Sequence, residues 1–282
     1  MIKLERYSEE KIELWNQFNK QSKNYLFMFD RNYMDYHKDR FKDHSLMFYD
    51  DDKLIALLPM SEHGDELISH GGLTYGGFIT DSKMKQHTLI DCFEELIKYC
   101  KENNFKNIRY KCIPHIYHSQ PAEEDRFALF ANGANLDTVD VSTYVNLESP
   151  LKMPKGRKAQ ISRAKREGVV IKELTELEDF KKFIDLENEV LTERHDVKAV
   201  HTGEELKLLH DRFPENIHLF ASIKDNKLIA GTVVYEYDHV VHTQYMAAND
   251  EARQIGALDL AISTVINKYR ETKKMVRLRY FH

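Results

Sequence analysis

Apolar and polar positions are most clearly ordered between residues 218 and 269. Three runs rich in β-branched, leucine and aromatic residues, His218–Lys224, Leu228–Tyr235 and His239–Ala247, are separated by short segments containing Asp or Asn, which favour turns. This pattern predicts three strands in an antiparallel meander. After Asn249, apolar residues from Ile255 to Ile266 recur near helical spacing, which predicts a long helix that packs on the sheet.

The first half of the chain also alternates between predicted strands and helices. A hairpin is predicted across Ser45 to Pro59, and a helix from about Met84 to Asn103. Two prolines and a glycine in the segment Glu148–Gly156 indicate a linker. We therefore predict two domains, residues 1–150 and 151–282, with an α/β (α+β) fold.

Composition argues against several classes of protein. The 282 residues carry a formal net charge of -5, which disfavours general electrostatic binding of nucleic acid, although a local basic patch can still hold phosphate. No apolar run approaches the roughly 18 residues of a membrane helix, and the N-terminus lacks the features of a signal peptide, so we expect a cytoplasmic protein without a membrane span. The three cysteines lack a C-x-x-C spacing, so neither a disulfide framework nor a metal site is predicted.

The segment His70–Gly77 is unusual because it contains four glycines in eight residues. Such a segment is entropically costly unless the backbone needs a positive φ or a close approach to another group. One interpretation is a ligand-binding loop in which His70 and Tyr75 contact a substrate. The other is a bulged strand with a glycine turn, and the absence of a P-loop lysine motif leaves both interpretations open.

The densest basic cluster directly follows the predicted linker. It contains Lys155, Arg157, Lys158, Arg163, Lys165 and Arg166. Helix N–H groups and arginine side chains can together hold a diphosphate, which makes Arg157, Lys158 and Arg163 candidate substrate-binding residues. A solvated basic helix face is the alternative.

Three candidate polar residues fall in one short connection between two predicted helices. They are Arg194, His195 and His201, and the second helix begins with a capping box formed by Thr202 and Glu205. Loop polar groups commonly serve structure. The functional alternative is that His195 or His201 titrates near neutral pH and faces a substrate.

The third predicted strand of the meander carries polar residues on both faces. Strict period two puts His242, Gln244 and Met246 on one face and Thr243 and Tyr245 on the other. Buried polar groups without hydrogen-bond partners cost about 1–3 kcal/mol each, so this strand predicts a site that supplies partners.

Three stretches resemble the Fem-type (FemABX-like) branch of the GNAT-like acyltransferases. They are a basic helix ending in Gly-Val, Gly156–Val169, the strand Leu228–Val233, and the strand end Gln244–Ala248. The resemblance implies two GNAT-like halves, each with a mixed, largely antiparallel sheet flanked by helices. The GNAT pyrophosphate loop is present only as Arg253-Gln-Ile-Gly-Ala-Leu258, a departure that bears on coenzyme A binding.

A further pattern is similar to GNAT-like proteins of bacterial surface-polysaccharide gene clusters. It comprises Gly72–Gly77, Arg194-His195 followed by Val200–Glu205, and His242-Thr-Gln-Tyr245. It implies transfer of an acyl or aminoacyl group to an amine, such as an amino sugar on a nucleotide or lipid carrier in surface-polysaccharide or peptidoglycan synthesis. The alternative is a non-catalytic GNAT-like module that binds a sugar nucleotide or a partner enzyme.

For an acyltransferase of this kind, we predict catalytic roles for His195, His242 and Tyr245. Either histidine would accept the proton of the amine, and Tyr245 would protonate the leaving group. Arg194, His201 and Gln244 are predicted to contact the substrate.

The acyl donor implied by the resemblance is acetyl-coenzyme A or another acyl-coenzyme A, with aminoacyl-tRNA as the alternative. Backbone N–H groups around Ala247 would contact the donor carbonyl, and Arg253 and Gly256 would bind coenzyme A. A tRNA partner is expected only for the second donor, and no metal is expected for either.

The C-terminal segment departs from the resemblance. Related proteins continue past the long helix with an aromatic-Phe-Asp-aromatic-Gly-Ile-Ser strand, whereas this chain has Lys273–His282. Removing one adenine from suitably chosen codons for this segment yields Lys-Lys-Trp-Phe-Asp-Tyr-Gly-Ile-Ser. We therefore expect a frameshifted, truncated second half in which Met275–Phe281 fills the strand position imperfectly, with reduced activity.

Overall fold

The computed structural model describes residues 1–273 and 275–278, apart from the side chain of His195. The chain divides into two compact units, residues 1–139 and 140–282. The domain boundary predicted at 150/151 differs from this division by the segment 140–150. That segment contains the strand β8 (Thr143–Asn146), which belongs to the sheet of the second unit.

The first unit contains two small sheets and four α-helices. One sheet has the order β1-β2-β3-β6 and the other has the order β4-β5-β7. The strands are β1 (Ile2–Arg6), β2 (Leu46–Asp50), β3 (Lys53–Leu58), β4 (Ser61–His63), β5 (Glu66–Ile68), β6 (Ile79–Thr80) and β7 (Asn107–Arg109). The helices are α1 (Ile12–Gln21), α2 (Arg31–Met34), α3 (Gln86–Glu102) and α4 (Glu124–Ala131), with 3-10 turns at Glu9–Lys11, Phe27–Phe29, Asp35–His37 and His115–Tyr117.

Helix α3 shows why the pattern of the first unit folds as it does. Its buried residues are Leu89, Cys92, Phe93, Leu96 and Cys100. They recur every three or four positions and form one apolar stripe. This stripe packs in a core with residues of β2, β3 and α4. The predicted hairpin forms as β2 and β3, which pair antiparallel.

The second unit is built on a mixed, largely antiparallel sheet with the order β8-β13-β12-β11-β10-β9. Its further strands are β9 (Val170–Leu174), β10 (Ile217–Lys224), β11 (Lys227–Glu236), β12 (Val240–Ala248) and β13 (Met275–Leu278). Its helices are α5 (Lys155–Arg166), α6 (Leu177–His195), α7 (Gly203–Arg212), α8 (Asp250–Ile255) and α9 (Ala257–Tyr269). The predicted meander forms as β10, β11 and β12, and sheets flanked by helices occur in both units.

Helices cover the two faces of the second sheet. A Cβ atom on Gly231 of β11 would lie 3.1 Å from the ring of Phe183, so this face is covered by α6. Apolar residues of α5 and α9, among them Ala164 and Leu260, pack with Ala230 and Ala248 on the sheet. The face covered by α6 and the face covered by α9 are therefore distinct.

Strand β13 occupies the position where an imperfect strand was predicted. It pairs parallel with β12 and antiparallel with β8, and Val276 is fully buried. Residues Arg279 to Phe281 of the predicted strand lie outside the described residues, as do Lys274 and His282. Within residues 275–278, the strand position is filled and paired on both sides.

Throughout the described part of the chain, no helix combines the length and the apolar character needed to cross a bilayer.

Candidate active site

Strand β12 contains a β-bulge in the middle of the predicted site. Val233 of β11 pairs with Tyr245. The next residue, Val234, pairs with Thr243, so Gln244 is the extra residue of the bulge. A bulge places two residues opposite one and breaks the regular alternation of side chains.

The packing of β12 shows the effect of this bulge. Val241 packs in a cluster with Val265 of α9, and Ala248 packs in a cluster with Leu260 of the same helix. Positions 241 and 248 differ by an odd number, so regular alternation would place them on opposite faces. Because both contact residues of α9, the alternation changes between them.

His242 and Tyr245 consequently lie on the same face, the one covered by α6. Both side chains are buried. The prediction that His242, Gln244 and Met246 share a face opposite to Tyr245 is wrong for Met246 and Tyr245, because it assumed an unbroken period of two. The bulge brings the two candidate catalytic residues of β12 together.

Tyr245 and His201 form a short contact that joins two candidate residues of the site. The hydroxyl oxygen of Tyr245 lies 2.6 Å from Nδ1 of His201, and both side chains are buried. The two rings meet edge to face, with centroids 5.7 Å apart. Such a short bond between a phenol and an imidazole provides a path for a proton between two groups that can each donate and accept.

The connection between α6 and α7 positions His201. Helix α6 ends at His195 and is capped by Asp196 in the left-handed conformation, with φ of 52°. The amide of Ala199 then donates to the Asn188 side chain of α6 at 2.8 Å, so the connection folds back along the helix. The predicted capping box of Thr202 and Glu205 is confirmed at the start of α7.

Two other predicted residues of this connection are not part of the buried pair. Arg194 is exposed near the end of α6. The side chain of His195 lies outside the described part of the structure, so its predicted role as proton acceptor stays a prediction.

Glu187 is a buried carboxylate on α6 that the sequence analysis did not single out. Only 1% of its surface is exposed. It occupies the helix stripe formed by Phe180, Phe183, Ile184 and Leu191, all of them buried. A carboxylate in a stripe of apolar residues at spacings of three and four is a signal that the sequence contains.

The folded-back connection runs along α6, the helix that carries Glu187. Its earlier part is bonded to Asn188, and its later part approaches α6 at Lys181, because a Cβ on Gly203 would lie 2.7 Å from the Lys181 Cα atom. His201 lies between these two points along the connection.

The backbone N–H groups that point away from β11 belong to Met246 and Ala248, the neighbours of the predicted residue Ala247. The amide of Asn249 donates to β11 at 3.1 Å. Because such bonds recur at every second residue of an antiparallel strand, the amide of Ala247 also points to β11. The amides of Met246 and Ala248 point to the other edge, where β13 pairs within the described residues only as far as His242.

The predicted pyrophosphate loop is replaced by a helix. Arg253 and Gly256 donate their amides to Asn249 and Ala252 inside and at the end of α8. A Cβ on Gly256 would lie 2.7 Å from Cβ of Gln160, so α5 packs directly against this position. The residues present therefore do not fit a diphosphate of coenzyme A here.

The charges around α8 agree with this geometry. An open depression of 270 Å³ lies between α6 and α8 and is lined by Leu186, Glu189, Val190, Glu193, Asn249, Asp250, Glu251 and Arg253. Its single guanidinium group is ion-paired with Asp250. Four carboxylates and one paired cation disfavour an anionic ligand at this depression.

The basic residues of α5 do not converge on one point. Arg157 forms an ion pair with Asp259 of α9 at 2.7 Å. Lys158 and Arg163 are exposed, and at 3.6 residues per turn their positions on the helix differ by about 140°. The three predicted diphosphate contacts thus project in different directions, and the exposed cations form a broad solvated face.

His70 and Tyr75 lie in the first unit. Both are buried, and the hydroxyl group of Tyr75 lies 3.2 Å from that of Tyr117. Gly72 and Gly76 allow close packing, because a Cβ on either would lie about 2 Å from a neighbouring atom. Close packing therefore accounts for part of the glycine content of this loop.

In the part of the chain that the structure describes, no group of His, Cys, Asp or Glu side chains is arranged to hold a metal ion.

Comparison with known proteins agrees with this geometry. Residues 155–280 match the family model described as acetyltransferase (GNAT) domain. No curated protein matches the sequence significantly. Residues 155–280, which lie in the second unit, are therefore similar to a GNAT acetyltransferase domain.

Solved structures extend the similarity to nearly the whole chain. The crystal structure of FemX aligns with a TM-score of 0.65 at 10% identity, covering 98% of this chain and 88% of that one. The structure of L-PGS from Bacillus licheniformis aligns with a TM-score of 0.63 at 13% identity, covering 98% of this chain and 79% of that one. A tandem GNAT protein from the clavulanic acid biosynthesis pathway aligns with a TM-score of 0.54 at 9% identity, covering 99% of this chain and 89% of that one. The fold is thus shared with FemX and with tandem GNAT-like proteins.

Proposed function

We propose that this protein transfers an acyl or aminoacyl group to an amine, using the face of the second sheet that α6 covers. The observation that carries the proposal is the 2.6 Å contact between Tyr245 and His201 beside the β12 bulge. A buried phenol bonded to an imidazole is suited to deliver a proton to a leaving group.

The proposed reaction has one bond-forming and one bond-breaking change. The amine nitrogen attacks the donor carbonyl carbon, and the bond from that carbon to the donor sulfur or oxygen breaks. His242 accepts the proton lost by the amine. Tyr245 protonates the leaving atom and recovers a proton from Nδ1 of His201 in its imidazolium form. His242 then releases the proton of the amine to solvent, and His201 takes up a proton from solvent, which restores both residues.

The edge of β12 beyond His242, which pairs with no described strand on the β13 side, supports the proposal from the backbone side. Amides of Met246 and Ala248 point to that edge and could hold the carbonyl oxygen as negative charge develops on it. Positioning of donor and amine in one water-poor site contributes further, because it removes the entropic cost of bringing them together.

For the acceptor, we propose an amino sugar on a nucleotide or lipid carrier in bacterial surface-polysaccharide or peptidoglycan synthesis in the cytoplasm. This rests on the sequence resemblance. For the donor, the helix in place of the pyrophosphate loop favours aminoacyl-tRNA over acetyl-coenzyme A.

Transfer assays test this proposal. The purified chain is incubated with each donor and a panel of amino-sugar nucleotides, and product is followed by mass spectrometry. Tyr245→Phe should lower kcat by about 10²–10⁴-fold with a small change in KM, since the phenol acts in the transition state. Tyr144→Phe, which alters an exposed tyrosine of the same unit, should retain activity.

Two results would contradict the proposal. Equal kcat for wild type and Tyr245→Phe would remove the phenol from the chemistry. Tight binding of an amino-sugar nucleotide without turnover from either donor would instead support the non-catalytic binding module.

A further inference from the structure

Lys111 places a cation in the first unit without a carboxylate partner. Its Nζ atom donates to the carbonyl oxygen of His70 at 2.6 Å and to that of Leu73. In the described residues no Asp or Glu forms an ion pair with it, and burial lowers the pKa of the amine to about 8. Charged groups in protein interiors are normally paired, so an ammonium group with no counterion among the described residues is unusual.

His70 presents a second polar group without a partner at the same place. It is 2% exposed, and its Nδ1 atom has no hydrogen-bond partner in the described residues. Its backbone has a φ of 46°, a strained conformation for a residue other than glycine. Its ring stacks on that of His37 with centroids 5.3 Å apart.

The electrostatic surroundings of His70 are basic. Burial is the main cause that holds its pKa well below the ordinary value, and the next largest contributions come from His37, Arg31, Lys111 and His63. All four are basic residues. The position is therefore one that an anion would stabilise.

The glycine loop adds backbone donors. The amide of Gly71 donates to Ser61 Oγ at 2.9 Å, and that of Leu73 donates to the carbonyl oxygen of His70 at 3.1 Å. By contrast, the amides of Gly72, Gly76 and Gly77 donate to no described group. Close packing explains why some of these residues are glycines, but it does not explain their unused amides or the missing counterion of Lys111.

We infer that the loop 70–77 binds a phosphate group, held by Nζ of Lys111, Nδ1 of His70 and amides of the loop. Lysine has three donors and uses two on the loop carbonyls, which leaves one for a ligand. Donors from several parts of the chain favour phosphate, which offers more acceptor oxygens than a carboxylate. This site lies in the first unit, and the inference does not rest on the proposed acyl transfer.

Calorimetric titration of the full chain with inorganic phosphate tests the inference, with sodium acetate and sodium chloride at matched ionic strength. We expect heat of binding and a raised Tm with phosphate alone. Lys111→Met and His70→Asn should each weaken binding at least tenfold, since asparagine tolerates the left-handed backbone but lacks the imidazole. Lys101→Met removes an exposed cation of the same unit and should bind as wild type.

A parallel titration with uridine diphosphate identifies the source of the phosphate. Tighter binding than inorganic phosphate, lost in the same two variants, would indicate a nucleotide-linked ligand at this loop. Equal responses to phosphate, acetate and chloride would overturn the inference. So would wild-type affinity in His70→Asn, which decides the matter if Lys111→Met does not fold.

Discussion

Substitution of Gly256 by alanine should destabilise the second unit far more than the same substitution at Gly168. The two glycines have nearly identical backbone conformations, with φ of 78° and 79°. They differ in surroundings, because a Cβ on Gly256 would lie 2.7 Å from Cβ and 2.8 Å from the carbonyl oxygen of Gln160, whereas a Cβ on Gly168 meets nothing within 4 Å.

Two separate costs in unfolding free energy determine the expected effects, one from the left-handed backbone and one from overpacking. An alanine in the left-handed conformation costs about 1–2 kcal/mol at either position. Overpacking against α5 adds about 1–3 kcal/mol at Gly256 only. The expected loss of unfolding free energy is therefore roughly 1–2 kcal/mol for Gly168→Ala and roughly 2–5 kcal/mol for Gly256→Ala.

Urea unfolding followed by far-ultraviolet circular dichroism measures this difference. The pair of variants is matched in backbone conformation and in the atoms added, so the difference in midpoint reports the contact between α5 and Gly256. Equal midpoints would refute the close packing of α5 on this position. Equal midpoints would also remove the packing argument against binding of the coenzyme A diphosphate at Gly256.

Three other measurements probe the fold. Arg31→Met should cost about 3–5 kcal/mol in chemical unfolding, because it leaves two aspartates without their buried partner; a loss below about 1 kcal/mol would contradict this. Burial lowers the pKa of His218, but a hydrogen bond to Glu236 and the charge of Glu173 outweigh burial and raise the pKa overall. The protonated imidazole therefore stabilises the fold below pH 6.5, and this stabilisation is lost as the pH rises through the higher pKa of the folded state. His218→Gln should remove this dependence of the unfolding free energy on pH. Burial raises the pKa of the three cysteines to about 11 or 12, so thiol reagents at pH 7.5 should label them only after unfolding.

Regular patterns in the sequence predicted much of the second unit. The strands β10, β11 and β12 fall within a few residues of the predicted runs, because hydrophobic runs broken by Asp or Asn specify strands and turns locally. The capping box at Thr202 was also predictable, since both of its residues lie within one helical turn. The predicted long helix is instead two helices, because Gly256 adopts a left-handed conformation.

Features that depend on pairing between distant strands were not predictable. The bulge at Gln244 arises from the register of β12 against β11, and residue types alone do not specify it. It decides whether Tyr245 shares a face with His242. Likewise, β8 joins the second sheet through its pairing with β13, which lies more than a hundred residues later. The basic residues of α5 could be found from the sequence, but their divergent directions could not.

If the second unit transfers acyl groups as proposed, the structure favours one part of the site and disfavours another. The buried pair of His201 and Tyr245, and the part of the β12 edge that no described strand covers, are the features on which the proposed chemistry at the carbonyl group rests. The position of the pyrophosphate loop is filled by α8 and α5, and the adjoining depression is acidic. Both effects act against a phosphate-bearing donor at that one position and leave the carbonyl chemistry intact. A donor used by this fold must therefore be recognised through other groups, and the exposed cations of α5, such as Lys158, are the basic surface of this unit that remains accessible to phosphates.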